Sequence, residues 1–255
     1  MFQQYYKKDF QRYIPDWITT IIIFLAFACY LEWAIPYARP FKLSNPDIQH
    51  QFAEVQIVND FGLYVLTFII PLTIMCALIF TSKKDRYEQV HHLHMTLLAF
   101  TLNFVSVGAV TDFLKIWISR PRPDFLSRCL PKPDTPLDTY VTIEVCSTFT
   151  EATNWRLIDG MKSCPSGHSS LAMSGAIFLA LWLTYEWKLT KTSSVHWWIL
   201  SWGYVLVGAC IGISRSIDYR HHLTDILFGF LLGGVGAFLS YKKYFPIETA
   251  DNLPL

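Results

Sequence analysis

Toward the end of the chain the stretch SRSIDYRHHLTD, Ser214 to Asp225, sets two adjacent histidines among arginines and aspartates. His221 and Asp225 are four residues apart, a spacing that puts an imidazole and a carboxylate on one face of a helix. A carboxylate bonded to one ring nitrogen fixes the tautomer and frees the other nitrogen to act. Spacing alone leaves His222 as an alternative, because its three-residue separation from Asp225 also reaches on a helix. A second stretch, CPSGHSS from Cys164 to Ser170, places Pro, Ser and Gly just before an apolar run. A helix starting there leaves backbone N–H groups free for an anion, with the Ser166 hydroxyl as a further donor and His168 as a titratable proton. A third stretch, KIWISRPRPDF, brackets six residues between Lys115 and Arg122. Three cations (Lys115, Arg122, Arg215), a backbone anion nest with Ser166 and Gly167, and two histidines would suit a phosphoryl group, whose equatorial oxygens carry the transition-state charge.

These stretches need elements to bring them together. Of the 255 residues 52% are hydrophobic and 16% charged, against about a quarter charged in an ordinary soluble domain. A bilayer-spanning helix takes about 20 mostly apolar residues. Six runs qualify: Trp17–Ile35, Phe61–Thr81, about Leu93–Ile118, Ser169–Tyr185, Trp197–Ser214 and Leu223–Tyr244. The expected fold is therefore an all-α integral membrane protein with six transmembrane helices. Pro71 is expected to disturb span two. Gly229, Gly233 and Ala237, four residues apart in span six, suit close helix packing. With six spans, the end of span three, the start of span four and the turn between spans five and six fall on one membrane face, opposite the termini.

Lys7, Lys8 and Arg12, then Lys83, Lys84 and Arg86, then Lys188 and Lys191, and finally Lys242 and Lys243 lie on the terminal side. By the positive-inside rule both termini are cytoplasmic, and the three clusters face the lumen or the exterior. The long loop from about Ser119 to Cys164 holds Cys129 and Cys146, which an oxidising compartment would allow to pair; Cys164 competes as a partner.

Other features exclude functions. A net charge of +1 leaves no basic footprint for nucleic acid. The six cysteines form no CxxC pair, so a zinc site is not expected. The HHLH run at His91–His94 looks metal-like, but it lies on the opposite face beside no carboxylate pair. No DxD-like acidic cluster calls for Mg²⁺, so no cofactor or metal is expected. Asp112 sits one turn before Lys115 as its expected partner. Glu32, a charge at the end of span one, has no assigned role.

Lys115-x6-Arg122-Pro123, Pro165-Ser166-Gly167-His168 and Ser214-Arg215-x5-His221-x3-Asp225 resemble, complete and in order, the three signatures of the type 2 phosphatidic acid phosphatase (PAP2) superfamily. RPRPDFLSRCLP, RLIDGMKSCPSGHSS and SNPDIQHQFAEVQIV are similar to its lipid phosphate phosphatase branch, including the fungal diacylglycerol pyrophosphate phosphatases. The likeness runs from about Ser44 to Pro246, and Cys164 departs from it where Thr or Phe is usual.

The resemblance implies one domain over residues 1–255, with its motifs within 112–225, and a PAP2-type helical bundle. It implies a metal-independent enzyme that removes the terminal phosphate from phosphatidate, lysophosphatidate or diacylglycerol pyrophosphate in the bilayer. In it His221 is the nucleophile that forms a phosphohistidine, chosen over His222 by its count from Arg215. Asp225 orients His221, and His168 protonates the leaving oxygen. Lys115, Arg122, Ser166, Gly167 and Arg215 hold the phosphate. The membrane would be an endomembrane (endoplasmic reticulum, Golgi or vacuole) or the plasma membrane. Polyprenyl diphosphates and sphingoid phosphates are alternative substrates. A non-catalytic scaffold or transporter is the rival outside enzymes, and its hallmark would be damaged motifs.

Overall fold

The computed structural model describes residues 9–149 and 154–245. Lys7 and Lys8, used in the topology reading, lie outside them. Among the described residues, besides short 3-10 turns at Pro46–Ile48 and Ile143–Val145, the helices in chain order are α1 (Phe10–Leu31), α2 (Asp60–Thr81), α3 (Arg86–Ile118), α4 (Phe125–Cys129), α5 (Trp155–Asp159), α6 (Gly167–Glu186), α7 (Val195–Ile217) and α8 (Leu223–Tyr244). The six longer ones are long and apolar enough to cross a membrane, and the chain is a multi-pass membrane protein. Among the described residues there is no strand, only isolated bridges at Phe41–Val141 and Pro131–Cys146.

Helix α6 is the axis of the bundle. Most of its length is buried and none of it is fully exposed, whereas α1 turns Ile18, Ile21, Ile22, Phe24 and Leu25 outward, as a lipid-facing helix must. What lets neighbours close on α6 is small side chains. Gly229 and Gly233 of α8 lie against the α6 backbone: a methyl on Gly229 would stand 2.7 Å from the Ser166 carbonyl, and one on Gly233 would collide with that of Ser170. Apolar contact sets the end nearer the termini, where Met75, Ile79, Leu98, Phe100, Phe178 and Trp182 form the core.

Span three is longer than the apolar run predicts. Asp85 caps it, accepting from the amides of Tyr87 and Glu88 at 2.8 and 2.9 Å, so His91–His94 ride on the helix. That helical turn separates the histidines. His92 Nδ1 meets Lys84 at 2.8 Å near Glu186, while Trp17 donates to His94 at 2.8 Å. Pro71 follows a π-helical turn, Val65–Ile69, the kind of irregularity a missing amide produces. Span one has a matching turn at Phe27–Leu31, which no proline announces.

The loops on the opposite side build a cap. Phe41, Ile48, Phe125, Leu157 and Met161 pack around a disulfide between Cys129 and Cys146, which ties the end of α4 to the long loop; Cys164 is a free thiol.

Candidate active site

Helix α3 stops where the site begins. Ser119 takes a left-handed conformation (φ 47°) and its amide closes on the Lys115 carbonyl, leaving Lys115 in the last turn. The prolines at 121 and 123 prevent further helix. The extended segment pairs with the loop after α5, through Arg122 N to Gly160 O at 2.8 Å and Ser163 N to Arg120 O at 3.0 Å. Arg122 is thereby held beside Gly160, and Ser163 beside Arg120.

Ser166 caps α6. Its Oγ accepts from the Ser169 amide at 3.4 Å and the Ser169 hydroxyl at 2.8 Å, and its own amide donates to the Asp225 carbonyl at 3.0 Å. No acceptor in the described residues takes the amides of Gly167 and His168, which are left as donors at a helix start. Ser166 is fully buried behind this nest, which makes it the cap of the nest and not part of the cavity wall. A methyl on Gly167 would lie 2.9 Å from Lys115 Nζ, so the missing side chain lets the ammonium reach the nest.

Lys115, Arg122, Arg215, His168 and His221 all line one cavity of about 320 Å³. Each cation is already paired: Lys115 Nζ with Asp112 at 2.8 Å, Arg122 with Asp159 at 2.7 Å, and Arg215 with Asp218 at 2.6 Å. Burial pulls the Arg122 guanidinium down to about 10. Burial alone would raise Asp159, but Arg122, Arg128 and Arg220 outweigh it and hold the carboxyl well below its usual range. His168 Nε2 lies 3.2 Å from the Val58 carbonyl, with Asp60 at 3.7 Å.

His221 is buried, and its Nδ1 donates to the Ser163 carbonyl at 2.6 Å, leaving Nε2 with its lone pair. Burial, then the charges of Arg122 and Lys115, keep this ring neutral well below its ordinary pKa. The expected bond from Asp225 to the His221 ring is absent, because α8 starts at Leu223 and His221 precedes its cap, so helical spacing does not apply. Asp225 instead accepts from Ser163 Oγ at 2.6 Å, Arg120 Nη1 at 2.7 Å and the His222 amide at 3.1 Å. His222 turns away, its Nε2 3.1 Å from the Pro121 carbonyl.

Several participants were not singled out from sequence: Arg120, Ser163, Asp159 and Asp218, and the arginines 128, 156 and 220. Arg120 and Ser163 flank motif residues, and Asp124–Arg128 is a readable i,i+4 pair. Cys164, beside the nest, has its thiol pushed up to about 12 by burial and Asp225 and stays protonated. Among the described residues no group of three or more His, Cys, Asp or Glu is placed to hold a metal ion.

The polar cavity shares Glu32, Asp60, Lys115, Gly167 and His168 with a second cavity of about 560 Å³. That one runs between α1, α2, α3 and α6 and is walled by Phe24, Phe27, Leu63, Phe68, Phe104 and Leu171. A helical membrane bundle in which the end opposite the termini gathers histidines, cations and a helix-start nest beside an apolar groove defines a class of membrane enzymes acting on anionic groups. The chain belongs to the PAP2 superfamily, which it matches over residues 95–248. It is 37% identical to diacylglycerol pyrophosphate phosphatase 1 of Saccharomyces cerevisiae, over 92% of this chain and 79% of that protein. It is 32% identical to a probable diacylglycerol pyrophosphate phosphatase 1 of Schizosaccharomyces pombe, over 94% and 84%. Lipid phosphate phosphatase 1 of Arabidopsis thaliana is 28% identical, over 91% and 68%. No solved structure matches the chain significantly.

Proposed function

We propose that the protein is a metal-independent lipid phosphate phosphatase that removes the terminal phosphate of phosphatidate, lysophosphatidate or diacylglycerol pyrophosphate. The observation that carries this reading is the junction of the two cavities. A phosphoryl group among Lys115, Arg122, Arg215 and the Gly167–His168 amides leaves the rest of the lipid to pass His168 into the apolar groove.

The neutral His221 Nε2 attacks phosphorus, and the Nδ1–H bond to Ser163 steadies the ring as it gains charge. The phosphorus–oxygen bond to the lipid breaks, and His168 gives that oxygen a proton. His168 then takes a proton from water, whose oxygen displaces the histidine nitrogen and releases inorganic phosphate. Asp225 acts through Ser163. Ser166 holds the nest in place.

The named relatives support the substrate class, and all three motifs are intact. The motifs come from α3, α6 and the α7–α8 turn, which supports treating residues 1–255 as one catalytic domain. The lysine-rich terminal side supports cytoplasmic termini and a lumenal or extracellular site, in an endomembrane or the plasma membrane. The test is phosphate release from a lipid panel in detergent with millimolar EDTA. Release should persist, vanadate should inhibit, and acid-labile phosphoenzyme should map to His221. Full loss with chelator, restored by Mg²⁺, would overturn metal independence.

A further inference from the structure

Besides Arg122 and Arg215, the polar cavity is lined by three more arginines set around one ring. Arg156, Arg128 and Arg220 place their guanidinium carbons 3.9, 4.7 and 5.1 Å from the centre of Phe52. Their states differ. Arg128 is saturated: Asp124 takes it in a fork at 2.9 and 2.8 Å, and Asp159 and the Arg156 carbonyl take Nη1 at 2.9 and 3.1 Å. Arg156 stands at the rim, half-exposed, with Glu54 at 3.1 Å.

Arg220 is the exception. Its side chain is 12% exposed, and its nearest carboxylate oxygens, on Asp159 and Asp124, are 3.6 and 3.8 Å away. Both distances exceed a hydrogen bond, and both carboxylates are already engaged by Arg128. Its Nε and Nη1 are buried without an acceptor among the described residues. Arg122, Arg128 and Arg220 thus face two carboxylates, Asp124 and Asp159. A buried guanidinium short of an acceptor is uncommon, and it fits a site completed by an anion.

We propose that Arg220 and Arg156, over Phe52, form a second anion subsite for inorganic phosphate, which receives the phosphate released from the transfer site. This rests on the proposed phosphatase reading. The two products part in different directions on this reading: the lipid keeps to the groove beyond His168, and the phosphate leaves past Phe52 and the α5 residues Trp155 and Arg156, which line the polar cavity. When water breaks the phosphorus–nitrogen bond, His221 regains its lone pair and a phosphate anion is set free beside Arg122 and Arg215. Arg220 is the next cation with donors to offer. Two planar guanidinium forks suit a tetrahedral oxyanion.

The test is equilibrium binding of radiolabelled inorganic phosphate to the purified full-length protein in detergent. The wild type should bind two phosphates per chain. Lys115→Gln should lose the transfer site and keep the second. Arg220→Gln should lose the second and keep the first, and the retained site shows that the variant is folded. Arg156→Gln should weaken the second site at least tenfold. One phosphate per chain in the wild type, or two undiminished in Arg220→Gln, overturns the proposal. If Arg220→Gln loses both sites, Arg156→Gln and Phe52→Leu decide: wild-type affinity at both sites in these two overturns it, and selective loss of the second supports it. Two sites that both survive Lys115→Gln would instead count against the transfer site, and with it the phosphatase reading.

Discussion

Asp225 and His221 are joined through Ser163: the carboxylate accepts from the Ser163 hydroxyl at 2.6 Å, and the Ser163 carbonyl accepts from His221 Nδ1 at 2.6 Å. One residue therefore presents its backbone to the His221 ring and its side chain to the carboxylate. Ser163→Ala keeps the carbonyl but frees it from Asp225. A hydrogen bond to a charged group contributes about 1.5–3 kcal/mol, so phosphoenzyme formation should slow by roughly 10- to 100-fold. Asp225→Ala, which also releases Arg120 and the His222 amide, should cost more. His222→Ala should keep substantial activity, and His221→Ala none. Rapid-quench measurement of the labelled phosphoenzyme separates these outcomes. A Ser163→Ala enzyme of wild-type rate beside a dead Asp225→Ala would mean that Asp225 contacts the ring directly during turnover.

Glu32 stands where the two cavities meet, and its carboxyl is pushed up to about 7 by burial and by Asp112. Asp112 is bound to Lys115 at 2.8 Å. For an acid raised in the folded state, the unfolded chain ionises first. Stability falls as pH rises from the ordinary value of 4.5 to about 7 and is level above it. Ionised Glu32 also sets a negative charge beside an anionic substrate. With phosphatidate, kcat/KM should fall as pH rises through about 7, and Glu32→Gln should remove that limb. An unchanged limb in Glu32→Gln would assign it to another group.

The parts of this site that were legible in the sequence are those the backbone dictates. Apolar runs of membrane length announced the bundle, and Pro-Ser-Gly before an apolar run announced the α6 start. The partner of His221 was not legible, because helical spacing assumes a helix that begins two residues later, at Leu223. Arg220 carries no signal of its own in the sequence; the packing of α4 and α5 beside it shows that Arg128 has already taken its carboxylates. The extra turns of α3 were hidden by the polar residues between Arg86 and His94, which Asp85 caps into helix.

Gly229 connects packing to chemistry. A methyl there would stand 2.7 Å from the Ser166 carbonyl and 2.9 Å from Ser169 Cβ. Gly229→Ala should push the start of α6 away from α8, and the Gly167 and His168 amides with it. The expected result is weaker vanadate inhibition, by roughly tenfold for the loss of about 1.4 kcal/mol, in a protein that still inserts and purifies. Wild-type vanadate affinity would show that the helices separate without moving the nest.

The Cys129–Cys146 bond closes a 17-residue separation directly beside Arg128. By the chain-entropy argument such a loop contributes about 3 kcal/mol. Cys146→Ser should lower the melting temperature under oxidising conditions, and dithiothreitol should bring the wild type down to the same value. Because Arg128 holds Asp159, which holds Arg122, activity should drop with reduction. Peptide mapping that recovers both thiols free would remove the basis for this.

The groove makes the last prediction, because it separates lipid recognition from phosphoryl transfer. Gly108 of α3 lines it opposite Phe27, whose ring would lie 2.9 Å from a methyl at that position. Gly108→Leu should fill space between α1 and α3 without touching the cations or histidines. Long-chain phosphatidate should lose kcat/KM by roughly 10-fold or more, since each buried CH₂ contributes about 0.8 kcal/mol. A short-chain or nitrophenyl phosphate, which never enters the groove, should be hydrolysed as by the wild type. The contrast with His168→Ala is diagnostic. Loss of a general acid costs about 10²–10⁴-fold, and it should shrink for nitrophenyl phosphate because of its good leaving group, not because of its missing tails. An alkyl phosphate of four carbons distinguishes the two: it should be slow in His168→Ala and normal in Gly108→Leu. Equal losses on long and short substrates in Gly108→Leu would mean that the tails lie elsewhere and that this cavity only packs the bundle.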